Sequence, residues 1–126
     1  RPELAQIGMT FHEAKHRFNT AQVINIPFSE NDRAQVSRDI HGTIKVVTSK
    51  HGKILGVGIV GDNASEIIQT WAMPISKGTN IKRLTELILP YPTLGEINKR
   101  TAAAFFAPKL FSTRINRLVK FLLAFG

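Results

Sequence analysis

TIKVVTSKHGKILGVGIV, residues 43–60, is the stretch that decides the fold. It contains two strand-like runs, Thr43–Ser49 and Lys53–Val60, separated by Lys50-His51-Gly52. A glycine in such a short connection suits the positive φ that a hairpin bulge needs. The stretch therefore predicts two adjacent antiparallel strands.

Upstream of this hairpin the sequence predicts one helix and one further strand. Thr10-Phe11-His12-Glu13 has the capping-box pattern, so a helix should start here and run to about Phe18. Residues 22–28, QVINIPF, alternate like a strand, and Pro27 indicates an edge or a strand end because proline cannot donate to a ladder. The polar residues 29–39 predict a loop or a single turn of helix.

Downstream of the hairpin the sequence becomes helical. Apolar residues recur at helical spacing and predict one helix packed on the sheet, which Gly78 ends. The members of this apolar face are Ala64, Ile67, Ile68, Trp71, Ala72 and Ile75. A short helix capped by Thr79 or Asn80 should follow, and Thr93-Leu94-Gly95-Glu96 has a second capping-box pattern that should open a helix to about Phe106. This order predicts an α+β fold with a mostly antiparallel sheet and helices packed on one face.

The net charge of +8 is concentrated at the C-terminal end of the chain. Residues 1–96 hold eleven Lys and Arg against nine Asp and Glu, whereas residues 97–126 hold six against none. A nucleic-acid site would interleave basic side chains with exposed aromatic rings on the sheet. Here the excess of basic residues lies instead at the C-terminal end of the chain. We expect no nucleic-acid partner, and a basic nucleic-acid-binding module is kept as the alternative function.

The chain divides into a domain over residues 1–108 and a helical tail over residues 109–126. The tail, KLFSTRINRLVKFLLAFG, has an apolar stripe opposite Arg114, Arg117 and Lys120, which predicts a basic amphipathic helix. Its stripe would dock on its own domain or on a dimer partner, or else it would lie on a membrane surface. No apolar run reaches the roughly 20 residues of a membrane-spanning helix. Because no secretory signal opens the chain either, we expect a cytoplasmic protein, peripheral to the membrane if the tail binds one.

Two short motifs match the patterns of metal and cofactor sites. His12-Glu13-Ala14-Lys15-His16 fits the H-E-x-x-H zinc pattern, but Glu13 already serves the capping box. The candidates for a third zinc ligand are His41, His51 and Glu66. Gly56–Gly61 fits G-x-G-x-x-G, although it falls where a strand continues rather than at a strand-to-helix turn. We therefore expect neither a metal site nor a dinucleotide site.

Three groups of residues, in a fixed order along the chain, match one known family. They are Pro2–Thr10 with Glu13-Ala14; Ile54-Leu55-Gly56 with Ile59-Val60-Gly61, Ala64, Glu66 and Ile67-Ile68; and Pro90–Glu96. Their order resembles the C-terminal dimerisation domain of the pyridine nucleotide-disulfide oxidoreductases, flavoproteins that include dihydrolipoamide dehydrogenase, glutathione reductase and mercuric reductase. The resemblance covers residues 2 to about 106.

The resemblance implies a role for PYPTLGE, residues 90–96. In many members a histidine stands where this chain has Tyr91, and with the following glutamate it acts as acid and base for a redox-active dithiol of the other subunit. It implies that Tyr91 and Glu96 are catalytic residues supplied to the partner, and that Tyr91 and Pro92 touch the partner's flavin. Tyrosine, with a reference pKa near 10, is a poor base for a thiol. Mercuric reductases resemble this chain more closely here, since they also carry a tyrosine at this place, although this chain lacks the vicinal cysteines with which they usually end.

The resemblance also implies partners and cofactors. It implies a homodimer, with FAD and NAD(P) held by domains upstream of Arg1, together with the redox-active cysteine pair. Cysteine is absent from this chain, so no thiol chemistry can occur within it alone. We expect the isolated chain to bind no cofactor and to be inactive, and its opening at RPELAQIG fits a fragment.

Overall fold

Four antiparallel strands form one sheet in the order β1-β4-β3-β2. The structure, a computed structural model, describes residues 3–36, 38 and 41–107. The strands are β1 (Glu3–Gly8), β2 (Gln22–Pro27), β3 (Thr43–Thr48) and β4 (Ile54–Gly61). Together with the helices described below, they confirm the predicted α+β fold.

The predicted hairpin of β3 and β4 forms the centre of the sheet. The register runs from Thr43 opposite Val60 to Thr48 opposite Ile54, and it shifts by a bulge after Val47. Gly52 has a φ of 99° in the connection, as the sequence predicts. β2 lies at one edge of the sheet, and Pro27 is its last residue. Both observations confirm the prediction that Pro27 marks an edge or a strand end.

β1 is the strand that the local sequence patterns do not predict. It forms the other edge of the sheet and pairs with β4, from Glu3 opposite Gly61 to Gly8 opposite Gly56. The backbone that follows it lies directly against β4, because a Cβ atom built on Gly56 would lie 1.8 Å from the carbonyl oxygen of Met9. Gly56 therefore serves close backbone packing.

The two N-terminal helices are short. Helix α1 (Phe11–Arg17) begins with the predicted capping box. The Thr10 hydroxyl accepts from the Glu13 amide at 3.2 Å, and a Glu13 carboxylate oxygen accepts from the Thr10 amide at 3.3 Å. A 3-10 turn (Phe28–Glu30) then leads into α2 (Asp32–Val36).

The helix predicted after β4 is divided into two. Helices α3 (Ala64–Ile67) and α4 (Gln69–Lys77) meet at Ile68, and α4 ends at Gly78 in the left-handed conformation, as predicted. Ala72 is exposed, so its assignment to the apolar face is wrong. A 3-10 helix (Ile81–Glu86) follows with Asn80 as its cap, and the last described helix, α5, covers residues 96–107.

The main core lies between one face of the sheet and the helices that follow it. Its largest buried side chains include Trp71, Phe28, Ile44, Ile54, Ile59, Ile81 and Ile97. Helix α1 packs a smaller cluster, Ala14 and Ala21 with Val47 and Leu55, on the other face. The rest of that face is open, and Leu4 of β1 is 75% exposed there.

The predicted tail, residues 109–126, and its boundary with the domain lie outside the described residues. No helix in the described part of the chain is long and apolar enough to span a membrane. The predicted membrane-surface contact of the tail stays a prediction.

Candidate functional site

The candidate site is the loop that joins the 3-10 helix to α5 and carries Tyr91. The peptide bond between Tyr91 and Pro92 is cis, and both side chains are exposed. The Tyr91 side chain is 68% exposed, which is unusual for an aromatic ring in a domain whose tryptophan is fully buried. The loop thus presents one aromatic side chain to the surroundings of the domain.

Asn31 ties this loop to the start of α2. Its side chain is only 3% exposed, and its amide nitrogen donates to the carbonyl oxygens of Thr93 at 3.1 Å and Leu94 at 3.4 Å. Its amide oxygen accepts from the backbone amide of Ala34 at 2.9 Å. Because one buried side chain bonds both segments, the loop and the first turn of α2 are held as a unit.

The Tyr91 hydroxyl donates a hydrogen bond of 2.7 Å to Oδ2 of Asp32, the first residue of α2. This bond and the negative charge of Asp32 raise the pKa of Tyr91 above its ordinary value of 10.0, because both favour the protonated phenol. The charge of Glu96 raises that pKa further, as the smallest contribution. Tyr91 is therefore protonated at neutral pH, and an even smaller fraction of it is ionised to act as a base than of an ordinary tyrosine.

Glu96 stands in the first turn of α5, as predicted, but the predicted capping box is not formed. The Thr93 hydroxyl instead donates to the carbonyl oxygen of Pro90 at 2.8 Å, and the Glu96 amide bonds the Thr93 carbonyl oxygen at 3.4 Å. Glu96 shares a cleft of about 90 Å³ with Glu30, Asn31, Asp32 and Arg100. The structure thus brings Glu96 near the phenol, whereas the carboxylate bonded to the phenol is that of Asp32. A catalytic role for Tyr91 and Glu96 stays a prediction.

Helix α5 is fixed to the helices beneath it by Asn98. This fully buried side chain accepts a hydrogen bond from the Trp71 indole nitrogen at 2.7 Å and donates one to the Ile67 carbonyl oxygen at 2.9 Å. On the surface, Arg100 contacts Glu30 at 3.0 Å. The C-terminal end of the loop is therefore anchored to α3, α4 and the segment before α2.

The sequence patterns missed Asn31, Asp32 and Asn98. Asp32 and Tyr91 are 59 residues apart, and Asn98 and Trp71 are 27 apart, so neither pair shares a local motif. The polar run before α2 indicated only a loop or a turn. No sequence signal distinguished these side chains from ordinary surface residues.

The two short motifs have structural roles. Glu13 of the H-E-x-x-H pattern is bonded to Thr10 at the cap of α1, and the described residues contain no group of three or more possible metal-ligating side chains. Gly56–Gly61 lies within β4, which is paired with β1 on one side and β3 on the other. Its backbone is therefore committed to the sheet and does not form the turn that receives a dinucleotide pyrophosphate. These residues fit neither FAD nor NAD(P).

Comparison with known proteins supports the resemblance. A family model described as the pyridine nucleotide-disulphide oxidoreductase dimerisation domain matches residues 1–102. A mercuric reductase from Lysinibacillus sphaericus is 32% identical over 105 residues, which are 82% of this chain and 19% of that protein. A dihydrolipoyl dehydrogenase from Staphylococcus aureus is 32% identical over 102 residues, which are 80% of this chain and 22% of that protein.

Solved structures give the same result for the fold. LpdA from Mycobacterium tuberculosis matches with a TM-score of 0.76 and 26% identity, over 83% of this chain and 23% of that one. The HOCl-induced flavoprotein disulfide reductase RclA from Escherichia coli matches with a TM-score of 0.75 and 25% identity, over 81% of this chain and 24% of that one. The chain spans about a fifth of the length of the curated relatives it matches.

Proposed function

This chain belongs to the dimerisation-domain family of the pyridine nucleotide-disulphide oxidoreductases, and we propose that it pairs two copies of a longer flavin-dependent oxidoreductase. In this proposal each copy supplies Tyr91 and Glu96 to the active site of the partner subunit. Tyr91 and Pro92 touch the partner's flavin. The longer protein uses FAD and NAD(P), and the predicted cytoplasmic localisation is part of the same proposal.

The composition and fold of the chain support a role in which the cofactors are bound elsewhere in a longer protein. It has no cysteine, and its G-x-G-x-x-G motif is part of the sheet. FAD, NAD(P) and the redox-active dithiol would therefore be held by the parts of a longer protein that this chain does not cover. Its own contribution is a surface for pairing and one loop. The chain alone is inactive in this proposal.

The observation that carries the proposal is the combination of exposure and fixation at Tyr91. The ring is 68% exposed, yet its hydroxyl, its loop and the following helix are bonded to the rest of the domain. A side chain that is held so firmly while facing outward is suited to act on another molecule, because its position is set before contact. Nothing in the described residues favours the nucleic-acid alternative.

The protonated state of Tyr91 indicates the kind of chemistry. A phenol whose pKa is raised does not take a proton from a thiol at neutral pH. Tyr91 would therefore line the partner's active site and form hydrogen bonds there, while other groups abstract protons. This favours a mercuric-reductase-like enzyme over one that uses general-base dithiol chemistry.

Sedimentation of the isolated chain tests the pairing. We expect a species of twice the 14.0 kDa monomer mass that dissociates on dilution. Met73, which is 63% exposed on α4, should lie in the interface formed by the elements after Gly61, so Met73→Glu should weaken the dimer.

The matched control is Leu4→Glu, since Leu4 is equally apolar and exposed but lies on the open face of the sheet. Leu4→Glu should leave the dimer intact. A wild-type chain that stays at 14.0 kDa at millimolar concentration would contradict the pairing. If Leu4→Glu rather than Met73→Glu dissociates the dimer, the proposed interface is wrong.

A further inference from the structure

We propose that Asp32 is the positioning residue for Tyr91, in the place that the resemblance to the family gives to Glu96. The inference rests on the proposed function in one respect, namely that Tyr91 is presented to a partner subunit. The assignment of Asp32 itself follows from the contacts within one chain.

The first argument is the direct bond. The Tyr91 hydroxyl has a single proton, and it donates that proton to Oδ2 of Asp32 at 2.7 Å. This distance is typical of a strong hydrogen bond from a hydroxyl to a carboxylate. Glu96 acts on Tyr91 through its charge alone, and its contribution is smaller than that of Asp32.

The second argument is that the residues around Asp32 are themselves fixed. Asn31, directly before it, is buried and bonds the backbone of the Tyr91 loop at Thr93. Glu30, one residue earlier, contacts Arg100 of α5 at 3.0 Å. The backbone at Asp32 is therefore held beside the loop, which places the Asp32 carboxylate within hydrogen-bond reach of the phenol.

The direction of the bond decides what Tyr91 offers to a partner. Because its proton is directed to Asp32, the lone pairs of its oxygen are the part of the hydroxyl left for another molecule. Such an oxygen accepts hydrogen bonds. Tyr91 would therefore recognise a donor, such as a protonated thiol, rather than an anion such as a thiolate.

The chain offers a direct test, since Tyr91 is its only tyrosine. Spectrophotometric titration of the 126-residue chain, followed by the ultraviolet absorbance of tyrosinate, reports the ionisation of Tyr91 alone. We expect a midpoint above 10.0 in the wild-type chain and a midpoint closer to 10.0 in Asp32→Asn, which keeps the shape of the side chain and removes its charge. Glu96→Gln is the matched control and should lower the midpoint less, and Asp32→Glu should restore part of the rise.

Two results would overturn the inference. One is an unchanged midpoint in Asp32→Asn, and the other is a larger fall in Glu96→Gln than in Asp32→Asn. Circular dichroism of each variant establishes that it is folded at the pH of the midpoint. Sedimentation of the wild-type chain at millimolar concentration and neutral pH separates the two proposals. A lowered midpoint in Asp32→Asn together with a wild-type chain that stays monomeric supports Asp32 and contradicts the pairing, whereas an unchanged midpoint together with a dimer does the reverse.

Discussion

Replacing Asn98 with alanine should loosen α5 from the helices beneath it. The Asn98 side chain is fully buried and bonds both the Trp71 indole nitrogen, at 2.7 Å, and the Ile67 carbonyl oxygen, at 2.9 Å. Asn98→Ala removes the acceptor of the Trp71 indole nitrogen and the donor to the Ile67 carbonyl oxygen at once. Trp71 is itself fully buried, so water does not readily replace the lost acceptor at its ring nitrogen.

The expected loss can be worked from these two bonds. A buried donor or acceptor left without a partner costs about 1–3 kcal/mol, so the two together cost about 2–6 kcal/mol. The free energy of unfolding of a small domain is about 5–15 kcal/mol, so the variant should lose a large fraction of it. With a urea dependence of about 2 kcal/mol per molar, a loss of about 4 kcal/mol lowers the unfolding midpoint by about 2 M urea.

Urea unfolding followed by far-ultraviolet circular dichroism measures this loss. Fluorescence gives a second, local signal, because Trp71 is the only tryptophan of the chain. Lys99→Ala is the matched control, since it changes the next residue of α5 at an exposed position and should shift the stability by no more than about 0.5 kcal/mol. Equal midpoints for Asn98→Ala and Lys99→Ala would refute the anchoring of α5 by Asn98.

Two further predictions concern β1. Gly56→Ala should prevent folding or lower the free energy of unfolding by more than about 3 kcal/mol, because the added Cβ would lie 1.8 Å from the Met9 carbonyl oxygen. The control is Gly95→Ala, whose added Cβ has its nearest contact at 3.9 Å, and it should stay close to wild type in a thermal melt. The pKa of Glu3 is held below its ordinary value of 4.5 by hydrogen bonds from the Ser65 amide and hydroxyl, so its stabilising effect is present at neutral pH and is lost as the pH falls below 4.5 through the lowered pKa. Thermal melts across this range should show a smaller acid loss in Glu3→Gln than in the wild-type chain, and parallel curves would contradict the role of the Glu3–Ser65 contact.

The elements that could be predicted from the sequence are those whose signals lie within a few residues. The hairpin of β3 and β4, the capping box at Thr10 and the helix stop at Gly78 each depend on backbone preferences of adjacent residues. The order of motifs was sufficient to identify the family without any contact between distant residues. It also pointed to Tyr91 as the centre of the candidate site.

The features that could not be predicted depend on residues far apart in the chain. β1 is a strand because it pairs with β4, and Gly56 of β4 allows the close approach of the backbone that follows β1. Asp32 is the partner of Tyr91 because Asn31 brings α2 to the loop, and nothing near either residue indicates this contact. At Thr93 the capping-box pattern was present, but the hydroxyl bonds the backbone of its own loop, which shows that a local pattern also yields to competing local bonds.

The pairing of β1 with β4 has a consequence for the assembly of the sheet. β1 is the first of the four strands to be synthesised, but its partner β4 follows only after β2, β3 and their connections, and closing so long a loop costs chain entropy. Until then the edge of β4 is open to strands from other chains. Gly56 and Gly58 lie along that edge, and because glycine is a weak strand former, they make it a poor template for aggregation while the sheet is still incomplete.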